Sequence, residues 1–369
     1  MSSKIYIDGF SLTGKELFGI HRYTYELLLE LDKLIDKDSV ILLVPNDSDK
    51  DFGFNNIAVS RVDLDVSTKL GRKKWNYFGF QRYVKKRGGI SLDMTLGLPF
   101  TGCDIAAVYD CILERVKENS NTKFKKLTRL LYMLKVRINL RRAKAVITIS
   151  EYSKKDITDI YKAPRKKIAI IYTAWQHFDR IVPDCTVLER LGLEKGSYCF
   201  SLGSRMYHKN FRWVAEAARQ NPQYTFVVTG SDLISTSDAY LNDTKPDNMI
   251  FTGYLSDGEI KALMANCKVF IQPSLYEGAG MPPMEAMSTG ARCIVSNRTS
   301  LPELYGNSVW YIDPEKYEGI DIDEIMSGEI ADNKEVLDRF SWKKGAGRLN
   351  AVLNDVRRRV SRQEAERYK

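Results

Sequence analysis

The chain has 369 residues, 44% of them hydrophobic and 28% charged, a globular balance that excludes a disordered polymer and leaves material for two buried cores. A formal charge of +9 and a pI near 9.0 point to an anionic partner, with nucleic acid, lipid headgroups and phosphorylated substrates all open. No apolar run approaches the roughly 20 residues that cross a bilayer, and six scattered cysteines without a Cys-x-x-Cys pair argue for reduced, buried thiols rather than zinc or a disulfide framework.

In chain order, MSSKIYIDGF begins a strand at once and lacks a basic, then apolar, leader pattern, so a cytoplasmic protein is expected. Strands are predicted over Ile5 to Asp8, Val40 to Val44, Ile57 to Val62, Met94 to Leu96, Ala106 to Tyr109, Ala145 to Ile149 and Ile168 to Tyr172. Helices are predicted over Arg22 to Ile35, Phe124 to Arg142 and Tyr152 to Tyr161. Two stretches, Lys69 to Gly89 and Lys123 to Ala145, contain no Asp or Glu and interleave Lys and Arg with apolar side chains. Around Gln176 to Gly196 the periodicity lapses into a polar connection with Pro183, which marks an interdomain boundary.

The second half repeats the alternation, with strands over Tyr198 to Leu202, Thr225 to Thr229, Met249 to Tyr254, Val269 to Pro273, Cys293 to Ser296 and Val309 to Ile312. Ser256-Asp257-Gly258-Glu259 spells a capping box at a helix start. The expectation is α/β: two doubly wound Rossmann-like domains, 1–175 and 176–354, with a helix over about 355–369 packing back on the first. A ligand is expected in a cleft at the carboxyl ends of the two sheets.

Two constellations carry chemistry. YEGAGMPPMEAMSTG, residues 276–290, follows a strand and opens a helix at Pro282-Pro283, with Glu277 in the loop and Glu285 expected in the first turn. A carboxylate near a helix start needs no ligand. Gly278-Ala279-Gly280, however, lets a backbone approach a phosphate closely, and flanking carboxylates can accept sugar hydroxyls. SLGSRMYHKNF, residues 201–211, places Arg205 and Lys209 at a second strand-to-helix junction, where a guanidinium and an ammonium suit a diphosphate.

Glu277 to Glu285 resembles the E-x7-E signature of the family-4 glycosyltransferases, retaining enzymes of the two-domain GT-B fold. GIHRYTYEL at 19–27, AVITISEYSKKDI at 145–157, GSRMYHKN at 203–210, FTGYLSDGEIKALM at 251–264 and FSWKKGAGRLNAVL at 340–353 extend the likeness over essentially the whole chain. The resemblance implies that Glu277 bonds the donor sugar and Glu285 the ribose. It gives the amides of Gly278, Ala279, Gly280 and Met281 to the sugar and distal phosphate, and Arg205 and Lys209 to the diphosphate. Gly203 joins the donor site, Tyr254 and Leu255 lie by the base, and Gly19 approaches the phosphates from the first domain.

Many relatives carry His-Asp where this chain has Tyr109-Asp110, so Tyr109, Asp110, His21 and Ser150 are candidate sugar or acceptor contacts. His208 is expected to pack and His177 to lie at the hinge. Asp63-Leu64-Asp65 and Asp321-Ile322-Asp323 match a D-x-D metal motif only formally, so no metal and no cofactor are expected. The resulting expectation is a metal-independent hexosyltransferase using a GDP- or UDP-linked sugar, with a glycan or polyprenyl-diphosphate-linked acceptor in surface polysaccharide assembly. The basic stretches are read as peripheral contact with the anionic inner face of the plasma membrane, and nucleic acid is not expected. The rivals are a sugar-nucleotide epimerase of the same fold and a non-catalytic sugar-nucleotide scaffold.

Overall fold

The computed structural model describes residues 3–14, 17, 19–63, 68–117, 123–203, 206–230 and 245–367, with backbone alone at 123–125 and 367. It divides into two compact units: Met1–Cys111, Thr122–Thr173 and Trp342–Lys369 form the first, and Ile112–Asn121 with Ala174–Ser341 the second.

The first unit is built on a parallel sheet of β1 (Ile5–Asp8), β2 (Val40–Pro45), β3 (Ala58–Val62), β4 (Ile90–Asp93), β5 (Ile105–Ala107), β6 (Ala145–Thr148) and β7 (Ile168–Ile170). The order is β3-β2-β1-β4-β5-β6-β7. Every residue of β1, β2 and β4 is buried, the mark of a sheet covered on both faces. On one face Tyr6, Ile41, Leu43 and Val62 pack with Trp75, Phe80 and Val84; elsewhere Ala106, Val108 and Val146 pack with Val136, Leu140 and Ile157.

The C-terminal helix, Trp342–Arg367, belongs to this unit over its whole length rather than from about 355. The ring of Trp342 meets Tyr23 edge-on, centroids 5.9 Å apart, which explains the earlier join: the helix is anchored by its first residue.

The strand expected at Met94 to Leu96 lies instead at Ile90–Asp93. Asp93 ends it, because its carboxylate accepts the amides of Thr95, Gly97 and Leu98 and curls the chain through positive φ at Leu96 and Leu98.

The second unit repeats the architecture with β8 (Tyr198–Ser201), β9 (Thr225–Val228), β10 (Met249–Phe251), β11 (Val269–Gln272), β12 (Cys293–Ser296) and β13 (Trp310–Ile312), all parallel. Their order is β10-β9-β8-β11-β12-β13. Trp213, Val214, Ala217, Phe226, Val228, Val269, Ile271 and Ile294 fill the core beneath it. The Ser256 capping box forms as read, closing the start of the Asp257–Asn266 helix. In both sheets the strand order reverses once, between β1 and β4 and between β8 and β11, and such reversals are where open α/β sheets hold ligands.

Candidate active site

At the second reversal, β8 leads through Gly203 to a single 3-10 turn, Tyr207–Lys209, and then to the Phe211–Gln220 helix. A Cβ on Gly203 would lie 2.1 Å from the Thr229 carbonyl oxygen, so only glycine lets this loop leave the strand here. β11 leads through Pro273 and Ser274 to Gly280, whose left-handed φ of 58° starts the Met281–Ser288 helix.

Asn210 knits these loops together. Its Nδ2 donates to the carbonyls of Pro273 (3.0 Å) and Pro314 (2.8 Å), and the Leu275 amide donates to the His208 carbonyl at 2.8 Å. The loops after β8 and β11 are thereby held in fixed register.

That register sets Lys209 against Glu277. Three donors converge on Glu277 Oε1: Lys209 Nζ at 2.7 Å, Ser274 Oγ at 2.7 Å and Gln272 Nε2 at 3.1 Å. The Glu277 amide donates to Thr299 Oγ1 and its carbonyl accepts Ser300 Oγ, so the residue is gripped at both ends. Glu277 is 9% exposed. Burial alone would push its carboxyl up, but the Lys209 charge and hydrogen bond, with His208 and Ser274, outweigh it and hold the group below its ordinary value. His208 is pushed down to about 4 by burial, with Lys209 adding to the shift and Glu277 opposing it. At neutral pH the corner therefore holds an ionised carboxylate, an ammonium and an uncharged imidazole.

Glu285 departs from its expected place in the first turn. The helix begins at Met281, so Glu285 lies in the second turn, buried, and its Oε1 meets His177 Nε2 at 2.9 Å. The helix start is also a sparser anion cradle than its position promises. Pro282 and Pro283 have no amide hydrogen, so only Met281 and Met284 bring N–H groups to the first turn. Gly278, Ala279 and Gly280 are buried and Met281 half-buried. Leu255 is buried and Tyr254 is 69% exposed, just beyond β10. Arg205 lies outside the described residues.

The first-unit candidates sit at that unit's own sheet edge. Gly19, with φ 51°, caps the Ile20–Asp32 helix, whose first turn carries no acidic residue. His21 follows it, half-buried and lowered by burial. Tyr109 is buried, and its hydroxyl donates to the Met94 carbonyl, which also accepts Thr24 Oγ1 at 3.0 Å. Ser150 caps the Glu151–Tyr161 helix, accepting the Ser153 amide at 3.1 Å, and Asp110 is half-buried. Of the two formal D-x-D pairs, Asp321 caps the Ile322–Ser327 helix and Asp323 accepts the Tyr224 hydroxyl. Asp65 lies outside the described residues, which contain no cluster of three metal-ligating side chains.

Sequence reasoning passed over Gln272, Ser274 and Asn210, and it expected His177 at the hinge without its contact to Glu285. Gln272 and Ser274 left one signal, polar residues closing an apolar strand at a carboxyl edge. The His177 contact left none, since it meets Glu285 from 108 residues away.

Two parallel sheets of Rossmann order, the second with a buried charged cluster at its reversal, define a protein of the GT-B fold. Residues 189–334, which lie within the second unit, match the model of the family described as glycosyl transferases group 1. Among curated proteins the chain is 28% identical to O-antigen chain mannosyltransferase B of Escherichia coli, over 56% of this chain and 59% of that one. It is 23% identical to O-antigen chain mannosyltransferase RfbU of Salmonella typhimurium, over 84% and 87%. The chain thus spans about three fifths of the first relative's length. Among solved structures, Anabaena Alr3699/HepE in complex with UDP and glucose shares the fold at TM-score 0.65 and 16% identity, covering 96% of this chain and 100% of that one.

Proposed function

We propose that the chain is a retaining hexosyltransferase that takes a sugar, mannose in the first instance, from a GDP- or UDP-linked donor to a saccharide or polyprenyl-diphosphate-linked acceptor in surface polysaccharide assembly. The observation that carries the reading is the convergence of Lys209, Gln272 and Ser274 on Glu277 beside Gly278-Ala279-Gly280 at the reversal of the second sheet. The two O-antigen mannosyltransferases support mannose, and the UDP and glucose held by a protein of the same fold support a nucleotide donor.

With one Glu277 oxygen tied, the other is assigned to donor-sugar hydroxyls, and Glu285 to the ribose. Lys209 and Arg205 neutralise the diphosphate as the bond from sugar C1 to the phosphate oxygen breaks, which makes a metal unnecessary. The acceptor oxygen bonds C1 on the same face, and its proton passes to the departing phosphate. Tyr254 and Leu255 flank the base, and the first unit takes the acceptor at the inner face of the membrane.

Calorimetric titration with GDP, UDP and their sugars tests the donor. One nucleotide should bind, and Glu285→Ala should weaken it about tenfold. Unchanged affinity would sink the Glu285 assignment. Turnover that needs a saccharide acceptor and survives EDTA supports metal-free transfer; conversion of the donor without acceptor would favour an epimerase.

A further inference from the structure

The first unit carries a face that its own core does not explain. On the Lys123–Arg142 helix, Val136 and Leu140 pack inward with Ala106, Val108 and Val146. The opposite side presents Leu127, Leu130, Leu131 and Leu134, exposed by 57, 63, 43 and 47%. At about 100° per residue these four fall within an arc of roughly 100° facing away from Val136 and Leu140. A helix that only covers a sheet places polar residues there. Exposed Lys126 and Arg137 border the leucines on one edge and Arg142 on the other, with exposed Arg141 inside the arc.

A second element extends the face. The Lys69–Lys74 helix runs into one π-helical turn, Trp75–Gly79, which turns Trp75 into the core and leaves Phe78 53% exposed, with Leu70 63% exposed just before it. Phe78 stacks on Phe100 at 6.1 Å, and Tyr77 meets Phe100 edge-on at 5.0 Å. Lys135 of the long helix lies 5.0 Å from the Tyr77 ring centre while its Nζ donates to the Gly97 carbonyl at 2.9 Å. The aromatic cluster thus joins the two elements. Among the described residues, half of the large exposed apolar side chains lie on these two segments, and neither Lys69 to Gly89 nor Lys123 to Ala145 contains an acid.

We propose that this face docks on a bilayer rich in anionic lipid, with the leucines and Phe78 entering the boundary between headgroups and acyl chains and the Lys and Arg side chains pairing with lipid phosphates. A bilayer supplies an apolar layer beneath a continuous negative plane, which is the complement of leucines rimmed by one sign of charge. The proposal deepens the reading of a lipid-linked acceptor, but its test does not depend on turnover.

The experiment is co-sedimentation of the full chain with vesicles of phosphatidylcholine alone or mixed with phosphatidylglycerol, at low and high salt. The expected result is binding to the anionic vesicles, weakened by salt, with little on phosphatidylcholine. Leu130→Glu/Leu134→Glu should lower partitioning at least tenfold, and Arg137→Ala/Arg141→Ala by about fivefold per charge removed. All four positions are at the surface, so nucleotide binding should be unchanged in both variants. Absence of binding to anionic vesicles, equal binding to both vesicle types, or binding untouched by the leucine substitutions overturns the docking while leaving the donor site intact. A dimer that forms without vesicles, fails to bind them and is dispersed by Leu130→Glu/Leu134→Glu would also overturn it, giving the face to a second copy of the chain.

Discussion

The two units share a strand order and use its reversal differently. In the first, Asp8 ends β1 and Asp93 ends the neighbouring β4, and both carboxylates serve their own chain: Asp8 accepts the Phe10 amide and Trp75 Nε1, each at 3.1 Å, and Asp93 accepts three loop amides. In the second, the edge brings a carboxylate, an ammonium and an imidazole together in a buried corner. Sheet order therefore fixes where a site can form, and the side chains at the ends of two central strands and in the segments that follow them decide whether that place becomes a loop clamp or a charged cluster.

The largest test of that contrast is Lys209→Ala, which leaves Glu277 buried without its counter-charge. It should cost on the order of 3 kcal/mol in denaturant unfolding of the second unit, with turnover falling as well. Combining Lys209→Met with Glu277→Gln should recover much of the stability and none of the activity. A loss below about 1 kcal/mol would mean that the pair is solvent-screened.

The units should also respond oppositely to pH. Burial, reinforced by Asp93, raises Asp8 to about 7, above its unfolded value of 3.8, so the first unit loses stability as pH rises between those values. His208 is lowered from 6.5 to about 4, so the second unit loses stability as pH falls through that range, and Glu277 adds to the loss below 4.5. The Asp8 effect is worth roughly 4 kcal/mol and the His208 effect roughly 3 kcal/mol at their limits. Calorimetry should resolve two transitions that shift in opposite directions between pH 4 and 7. Asp8→Asn should flatten the first and His208→Gln the second; parallel shifts would refute the contrast.

A finer probe is His177. His177→Ala should weaken nucleotide binding about fivefold to tenfold by freeing the Glu285 carboxylate, with His177→Gln restoring part of it through a side-chain N–H. Equal loss in both variants would make His177 a packing residue. The smallest effect belongs to Tyr109→Phe: about 1 kcal/mol of stability from the lost bond to Met94, with nucleotide affinity unchanged. A loss of affinity there would give the first unit's edge a ligand role after all.

Much of this was legible in the chain because its signals are local. Alternating apolar runs located the strands to within a few residues, and the three-residue spacing of Ser256 and Glu259 announced a cap that forms as read. Lys209 and Glu277 were each legible as a polar residue at a strand-to-helix junction, whereas their contact with one another was not, because it joins residues 68 positions apart. Met94 to Leu96 misled because it is apolar, whereas Asp93 beside it sets the backbone. The π-helical turn at Trp75–Gly79 has no periodicity of its own, and Glu285 with His177 is a contact of tertiary origin.

Asn210 also has a mechanical consequence. Its side chain ties the loops after β11 and β13 to its own loop after β8, so those loops cannot open one at a time without breaking a buried amide's hydrogen bonds. They should exchange their backbone hydrogens as one cooperative unit, and a ligand touching any of them should slow exchange across all three.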